Sequence, residues 1–235
     1  DDHLTGGDVT VFDNVPDTLF RGYKFGSSNT SKTNFVRAAV TVCPPDEDSW
    51  RITPILRWRA ASRAALLDMA PSLLAPRQIG GAGEWLKIHP DHQGVYAQMR
   101  GWHRTIEDLV VPGPTEFSLT VATTPRYYVS AAFGELSRRS KQVLHFASAH
   151  DRDLAAMTLN SSAPYLWWRW HDGGVGLTRR VLMSVPVPDI EPSLIDDIRA
   201  SEQTNIVTKL NAGIVNENVK HPFALVQRLN RAVFG

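Results

Sequence analysis

The sequence predicts an α+β fold on three observations. β-patterned runs crowd the first sixty residues, strand and helix patterns interleave through the middle, and two proline-bounded helical stretches close the chain. With 43% hydrophobic and 21% charged residues among 235, there is enough apolar material for a buried core and no signature of disorder. The expected architecture is a mixed sheet over 1–60, a mixed α/β domain over 61–190 and a helical tail over 191–235.

Taken in order, Val9 to Phe12 and Phe35 to Cys43 (FVRAAVTVC) alternate as strands do, with a turn at Asp13 to Asp17 after the first. A third run, Ile52 to Trp58, leads into a helix over Ala60 to Leu74 behind Ser62 as N-cap, with Pro71 disturbing its last turn. Gln78 to Gly83 reads as a hinge or loop and is the best internal boundary by composition, and Val95 to Val111 reads as a helix weakened by Gly94 and Gly101. Glu116 to Phe133 turns β-like again, broken at Pro125, and Val143 to Ala147 makes another strand. A helix is expected from His150 to Trp170, capped by Ser148 or Asp151 and bent or restarted at Pro164. After the loop Gly173 to Gly176 comes a short piece, Leu177 to Met183. Pro192 to Val215 and Pro222 to Phe234 read as the two terminal helices.

Cys43 is the only cysteine, so an internal disulfide and a multi-cysteine zinc site are excluded, which fits a reducing compartment. No apolar run approaches the roughly 20 residues that span a bilayer, and the expectation is a cytoplasmic protein without a membrane segment. The first residue, Asp1, fits a processed form or a fragment of a longer protein. Net charge is +1, but its distribution is uneven. Residues 1–20 carry five acids and no Lys or Arg, whereas 126–180 carry eight bases against four acids. Arginine dominates those basic stretches, and its planar fork suits phosphates and guanine edges.

Enzyme signatures are missing: there is no GxSxG, Walker A loop or GxGxxG. His89-Pro90-Asp91-His92 is the tightest His/Asp cluster, so one alternative is a small metal-dependent hydrolase built on His89, Asp91 and His92. His150-Asp151 and His171-Asp172 flank the aromatic helix and read as capping pairs. Trp167 and Trp168 read as core anchors that hold that helix on a sheet. Arg138-Arg139-Ser140-Lys141 forms a basic turn between strands, and Arg169, His171, Arg179 and Arg180 bracket the Gly loop, where a chain can follow phosphates closely. A further alternative is a non-catalytic module docking through the acidic amino-terminal segment and the tail helices.

The run from His145 to Ile190 (HFASAHDRDLAAMTLNSSAPYLWWRWHDGGVGLTRRVLMSVPVPDI) resembles the carboxy-terminal, TaqI-like specificity region of adenine-N6 DNA methyltransferases of restriction-modification and related phage-defence systems. The matching pieces are Leu159-Asn160-Ser161-Ser162, Tyr165 to Trp168, Gly173-Gly174, Leu177 to Leu182, and Val185-Pro186-Val187-Pro188. Asp13 to Phe20, Phe35 to Cys43 and Leu56-Arg57-Trp58 look like the end of the catalytic domain, and Leu229 to Gly235 like the closing tail helix.

The resemblance implies that 1–60 completes a methyltransferase-like sheet and that 61–190 is a target-recognition domain for double-stranded DNA. The implied DNA-binding residues are Arg138, Arg139, Lys141, Arg169, His171, Arg179 and Arg180. The parent enzyme would use S-adenosylmethionine and partner this region with its catalytic methyltransferase domain. This chain departs from the family by lacking both the cofactor loop and an Asn-Pro-Pro-Tyr-type loop; its Pro44-Pro45 follows Cys43 and precedes Asp46. No cofactor, no metal and no methyl transfer are therefore expected of the chain alone.

Overall fold

Strand β1 (Gly7–Val11) is the hub of a four-stranded mixed sheet. The computed structural model describes residues 6–12, 15–16, 35–36, 39–42, 49–57, 60–77, 86–125, 127–171, 176–211 and 213–235. The expected turn at Asp13 to Asp17, Pro44-Pro45 and the loops Gln78 to Gly83 and Gly173-Gly174-Val175 lie wholly or mainly outside them. Helices and small mixed sheets together make an α+β fold. Among the described residues no helix is long and apolar enough to cross a membrane. The chain divides into two compact units: Asp1–Tyr96 with Arg169–Val175, and Ala97–Trp168 with Gly176–Gly235. The expected boundary near 60 falls inside the first unit and that near 190 inside the second.

In the first unit, β2 (Val15–Pro16) pairs with β3 (Phe35–Val36). β1 pairs antiparallel with β4 (Ala39–Val42) and parallel with β5 (Trp50–Ile52), so that Val9 stands opposite Thr41 on one side and Ile52 on the other. The expected strand from Ile52 stops early: among the described residues beyond Ile52, only an isolated bridge joins Leu56 to Phe12. Val9, Val11 and Ile52 are buried together while Asp8 on the alternate face takes a bidentate contact from Arg51, Nε to Oδ1 at 2.7 Å and Nη2 to Oδ2 at 2.8 Å. The helix expected over Ala60 to Leu74 is regular only as α1 (Arg63–Met69), between 3₁₀ turns at Ala60–Ser62 and Ala70–Leu73. Pro71 accounts for the second change, because it cannot supply the amide that an α-turn needs. Phe12, Leu56 and Ala70 are buried together, with Leu66 and Leu73 packed on them, and β6 (Ala75–Pro76) then pairs with β5.

The expected helix Val95 to Val111 is three elements: α2 (Gln93–Arg100), β7 (Arg104–Thr105) and α3 (Ile106–Leu109). Gly101 ends the first, and Thr105 with Asp108 starts a new helix by a reciprocal capping box, the Thr105 amide donating to Asp108 Oδ2 at 2.7 Å. These bonds hold the Asp108 carboxyl below its ordinary range.

The second unit is organised by the sheet β10–β8–β9, formed from β8 (Phe117–Ala122), β9 (Ala131–Ala132) and β10 (Lys141–Phe146). Helix α4 (Ala149–Asn160) packs against all three strands, and every residue from Leu154 to Asn160 is buried, so this is a helix apolar nearly all round in the middle of a core. Ser148 caps it, its Oγ accepting from the Asp151 amide at 3.1 Å. The helix restarts near Pro164, as expected: α4 ends at Asn160, and α5 (Ala163–His171) begins with Pro164 in its first turn. Trp167 and Trp168 are buried, as expected of anchors, and Trp167 Nε1 donates to Ser184 Oγ at 3.1 Å. The piece after the Gly loop is α6 (Arg179–Met183), capped by Thr178, followed by β11 (Pro186–Val187), which pairs with β7.

The expected helix Pro192 to Val215 is half right. α7 (Ile195–Thr204) is helical, but β12 (Ile206–Asn211) and β13 (Ile214–Val219) form a hairpin whose turn uses Gly213 at φ +78°. β-branched Ile206, Val207 and Thr208 favour the strand, and a positive φ favours glycine at the turn. α8 (Phe223–Phe234) closes the chain where expected, burying Leu225, Leu229 and Val233. Met157, Ile198, Leu225 and Leu229 join α4, α7 and α8 in one apolar cluster.

A polar network crosses this cluster. Asn160 Nδ2 donates to the carbonyls of Ala131 (3.0 Å) and Ala156 (2.9 Å), and its Oδ1 accepts from the Ala131 amide at 3.0 Å. The same oxygen lies 3.1 Å from His221 Nε2, so that nitrogen carries the hydrogen and Nδ1 accepts from Ser201 Oγ, 2.9 Å away. Burial pushes the His221 imidazole down to about 4.

Candidate nucleic-acid interface

Three backbone strips in the second unit are laced side by side at the end of its three-stranded sheet. The Thr123 amide donates to the Ser140 carbonyl at 3.0 Å, and the Leu177 amide donates to the Thr123 carbonyl at 2.8 Å. This stitching sets the basic turn 138–141 beside Gly176 to Arg179, although the two are far apart in sequence. Between them lies an open cleft of about 430 Å³, lined by Thr123, Thr124, Arg139 to Gln142 and Gly176 to Arg179. Among the described residues no acidic side chain lines it.

The implied DNA-binding residues occupy different places. Arg139, Lys141 and Arg179 line the cleft, and Arg180 is exposed on the next position of α6. Among the described residues the Arg139 and Arg180 side chains have no hydrogen-bond or ion-pair partner, so their charges face solvent. Arg138 is spent internally: Nε donates to the Ser140 carbonyl (2.9 Å), Nη1 to the Glu217 carbonyl (3.0 Å) and Nη2 to Thr124 Oγ1 (2.6 Å). Burial lowers its pKa while it shapes the turn that presents Arg139. Lys141 Nζ donates to Glu135 Oε1 and to the Leu136 carbonyl, both at 2.8 Å, and that bond holds the Glu135 carboxyl low. Half of the expected basic turn is thus scaffold.

Arg169 and His171 belong to the first unit. Arg169 is 1% exposed and its Nη2 donates to the Phe12 carbonyl at 3.1 Å, which puts the side chain inside the unit rather than on its surface. Its neighbours in the helix, Trp168 and Trp170, are equally buried, and a run WWRW with no exposed position is the sequence sign of it. His171 is half-buried with its ring 6.0 Å from that of Tyr96.

The His89/Asp91/His92 alternative gains no ligand geometry. His89 Nδ1 accepts from the Asp91 amide at 3.2 Å, capping the 3₁₀ turn Pro90–His92, and the two imidazole centroids are 6.4 Å apart at 72°. His92 is lowered by burial and then by His89. Among the described residues no three His, Cys, Asp or Glu side chains converge on a metal position.

What the sequence reading passed over is Gln142, the polar residue following the basic turn, and the hydroxyls of Thr123, Thr124 and Thr178 beside it. Thr123 and Thr124 follow the end of β8, Gln142 lies in β10 and Thr178 precedes α6, so only the pairing of β8 with β10 and the Leu177–Thr123 backbone bond bring them together. Comparison of the chain with family models, with curated proteins and with solved structures finds no match.

Proposed function

We propose that the second unit binds double-stranded DNA as the target-recognition part of a restriction-modification adenine-N6 DNA methyltransferase, acting in the cytoplasm beside a catalytic half that supplies methyl transfer. The observation that carries this reading is the cleft itself. Arg139 and Arg179 line one concave surface that holds no acid among the described residues, with Arg180 exposed next to it, and threonine hydroxyls and an amide lie between them. Solvent-facing guanidinium groups around neutral hydrogen-bonding groups combine what phosphate positioning and base reading each require. The motif resemblance over His145 to Ile190 supplies the family, and α6, which presents Arg179 and Arg180, lies within that run.

S-adenosylmethionine does not suit this cleft. Its ribose diol calls for a carboxylate and its sulfonium is cationic, whereas the lining here is basic and, among the described residues, holds no acid. The cofactor belongs with the catalytic half.

Fluorescence anisotropy with random duplex DNA at about 50 and 200 mM salt tests the reading, since a protein that neutralises several phosphates loses orders of magnitude in affinity across that range. Binding that falls steeply, with a slope reduced by about two in Arg179→Ala/Arg180→Ala, is the expected result. An unchanged slope in that variant overturns the assignment.

A further inference from the structure

Within the basic cleft, one side chain has the chemistry of a base reader rather than a phosphate clamp. Gln142 is the second residue of β10, opposite Val121 of β8, so its backbone is held by a strand pair and not by a loop. Its side chain is half-buried and lines the cleft between Lys141 and the 176–179 strip. Gln142 Oε1 accepts from Arg179 Nη1 at 3.4 Å. A guanidinium only donates, so this contact orients the amide: the oxygen faces Arg179, and among the described residues Nε2 has no acceptor.

We propose that Gln142 reads an adenine edge in the major groove, an inference that rests on the DNA-binding reading above. A carboxamide offers one donor and one acceptor side by side, which matches adenine N7 and the adenine N6 amino group. Guanine presents two acceptors along the same edge and would leave the amide oxygen facing another oxygen. The second lone pair of Oε1 is available for the adenine amino hydrogen while Arg179 occupies the first. A neutral amide adds nothing to phosphate attraction, so Gln142 and the surrounding cations divide the work. Arg139, Arg179 and Arg180 hold the backbone, and Gln142 discriminates.

The test is enrichment of bound duplexes from a randomised pool, run on the whole chain and on three variants checked for native circular dichroism. The wild-type chain is expected to select adenine at one position by about tenfold or more, the range of a good bidentate contact. Gln142→Ala should bind the pool with the same salt slope but lose that preference, and Gln142→Glu should move it toward cytosine, whose amino group donates to a carboxylate. Arg139→Ala should reduce the slope and keep the preference. Retained adenine selection in Gln142→Ala, or no adenine preference in a wild-type chain that binds, overturns the role of Gln142 and leaves DNA binding standing. Absence of wild-type binding at about 50 mM salt overturns the DNA-binding reading and this inference with it.

Discussion

Lowering the pH should unlock the tail through His221, and the size of the effect follows from its surroundings. The imidazole is 9% exposed, its Nε2 hydrogen is engaged by Asn160 Oδ1 and its Nδ1 accepts from Ser201. A second proton would place a charge among α4, α7 and α8, and burial holds the folded value at about 4 instead of 6.5. The unfolded chain takes up that proton as pH falls through 6.5 and the native chain refuses it, so this contribution is complete above about pH 6.5. It is lost progressively down to about 4, below which both states are protonated. At about 1.36 kcal/mol per pH unit, that interval amounts to at most about 3 kcal/mol. The assay is urea unfolding at several pH values for the wild-type chain and His221→Gln, which cannot titrate but keeps a donor for Asn160. Carboxylates titrate equally in both proteins and cancel in the difference. The stability difference between the two should shrink by about 2–3 kcal/mol from pH 7 to pH 4. A difference that stays flat would refute the burial argument for His221.

Other expectations concern the core and the caps. Trp168→Ala empties a fully buried site and should cost about 3–5 kcal/mol in urea unfolding; a loss under about 1 kcal/mol would mean that the α5 contacts are misassigned. Arg169→Ala should lower the melting temperature while leaving the salt slope of DNA binding unchanged, because the side chain is internal and bonded to Phe12; a changed slope would place it at the interface after all. Thr105→Ala removes one side of the capping box and should cost about 1 kcal/mol, whereas Thr105→Ser should cost little; equal losses would sink the capping explanation.

The fold class and the positions of most elements were legible because their signals are local. Proline at 222 and the apolar spacing of Leu225, Leu229 and Val233 mark α8, and Ser148 marks the start of α4. The hairpin after α7 was not legible by periodicity, since Ile206, Val207 and Leu210 of β12 are all exposed and β13 buries only its last residue, Val219, against Ala132 and Leu136. Its sign was the β-branched pair followed by Asn-Ala-Gly, a turn signal that competed with a helix reading begun further upstream. The cleft was half legible. Composition marked the two basic turns, but their adjacency depends on the Thr123–Ser140 and Leu177–Thr123 backbone bonds, which join segments distant in sequence and leave no pattern in either.

Arg138 and Arg139 make the sharpest test of how structure divides identical neighbours. In sequence they are two equivalent phosphate ligands. In the fold, Arg138 is half-buried and donates three hydrogen bonds that tie the turn to Thr124 and to the Glu217 carbonyl on β13, while Arg139 projects into the cleft without a partner among the described residues. At about 1 kcal/mol for each lost bond, Arg138→Ala should cost about 2–3 kcal/mol, and the cost of Arg139→Ala should stay within about 0.5 kcal/mol. DNA binding should sort the other way. Arg139→Ala should reduce the salt slope by about one at unchanged stability, and Arg138→Ala should weaken binding only as far as the turn loses its shape, with affinity recovering where osmolyte restores folding. Measuring both quantities on both variants separates anchor from ligand. If the two substitutions have the same stability cost and the same slope, the hydrogen bonds of Arg138 hold nothing, and the proposed roles of Arg139 as phosphate ligand and Gln142 as base reader lose the fixed wall they require.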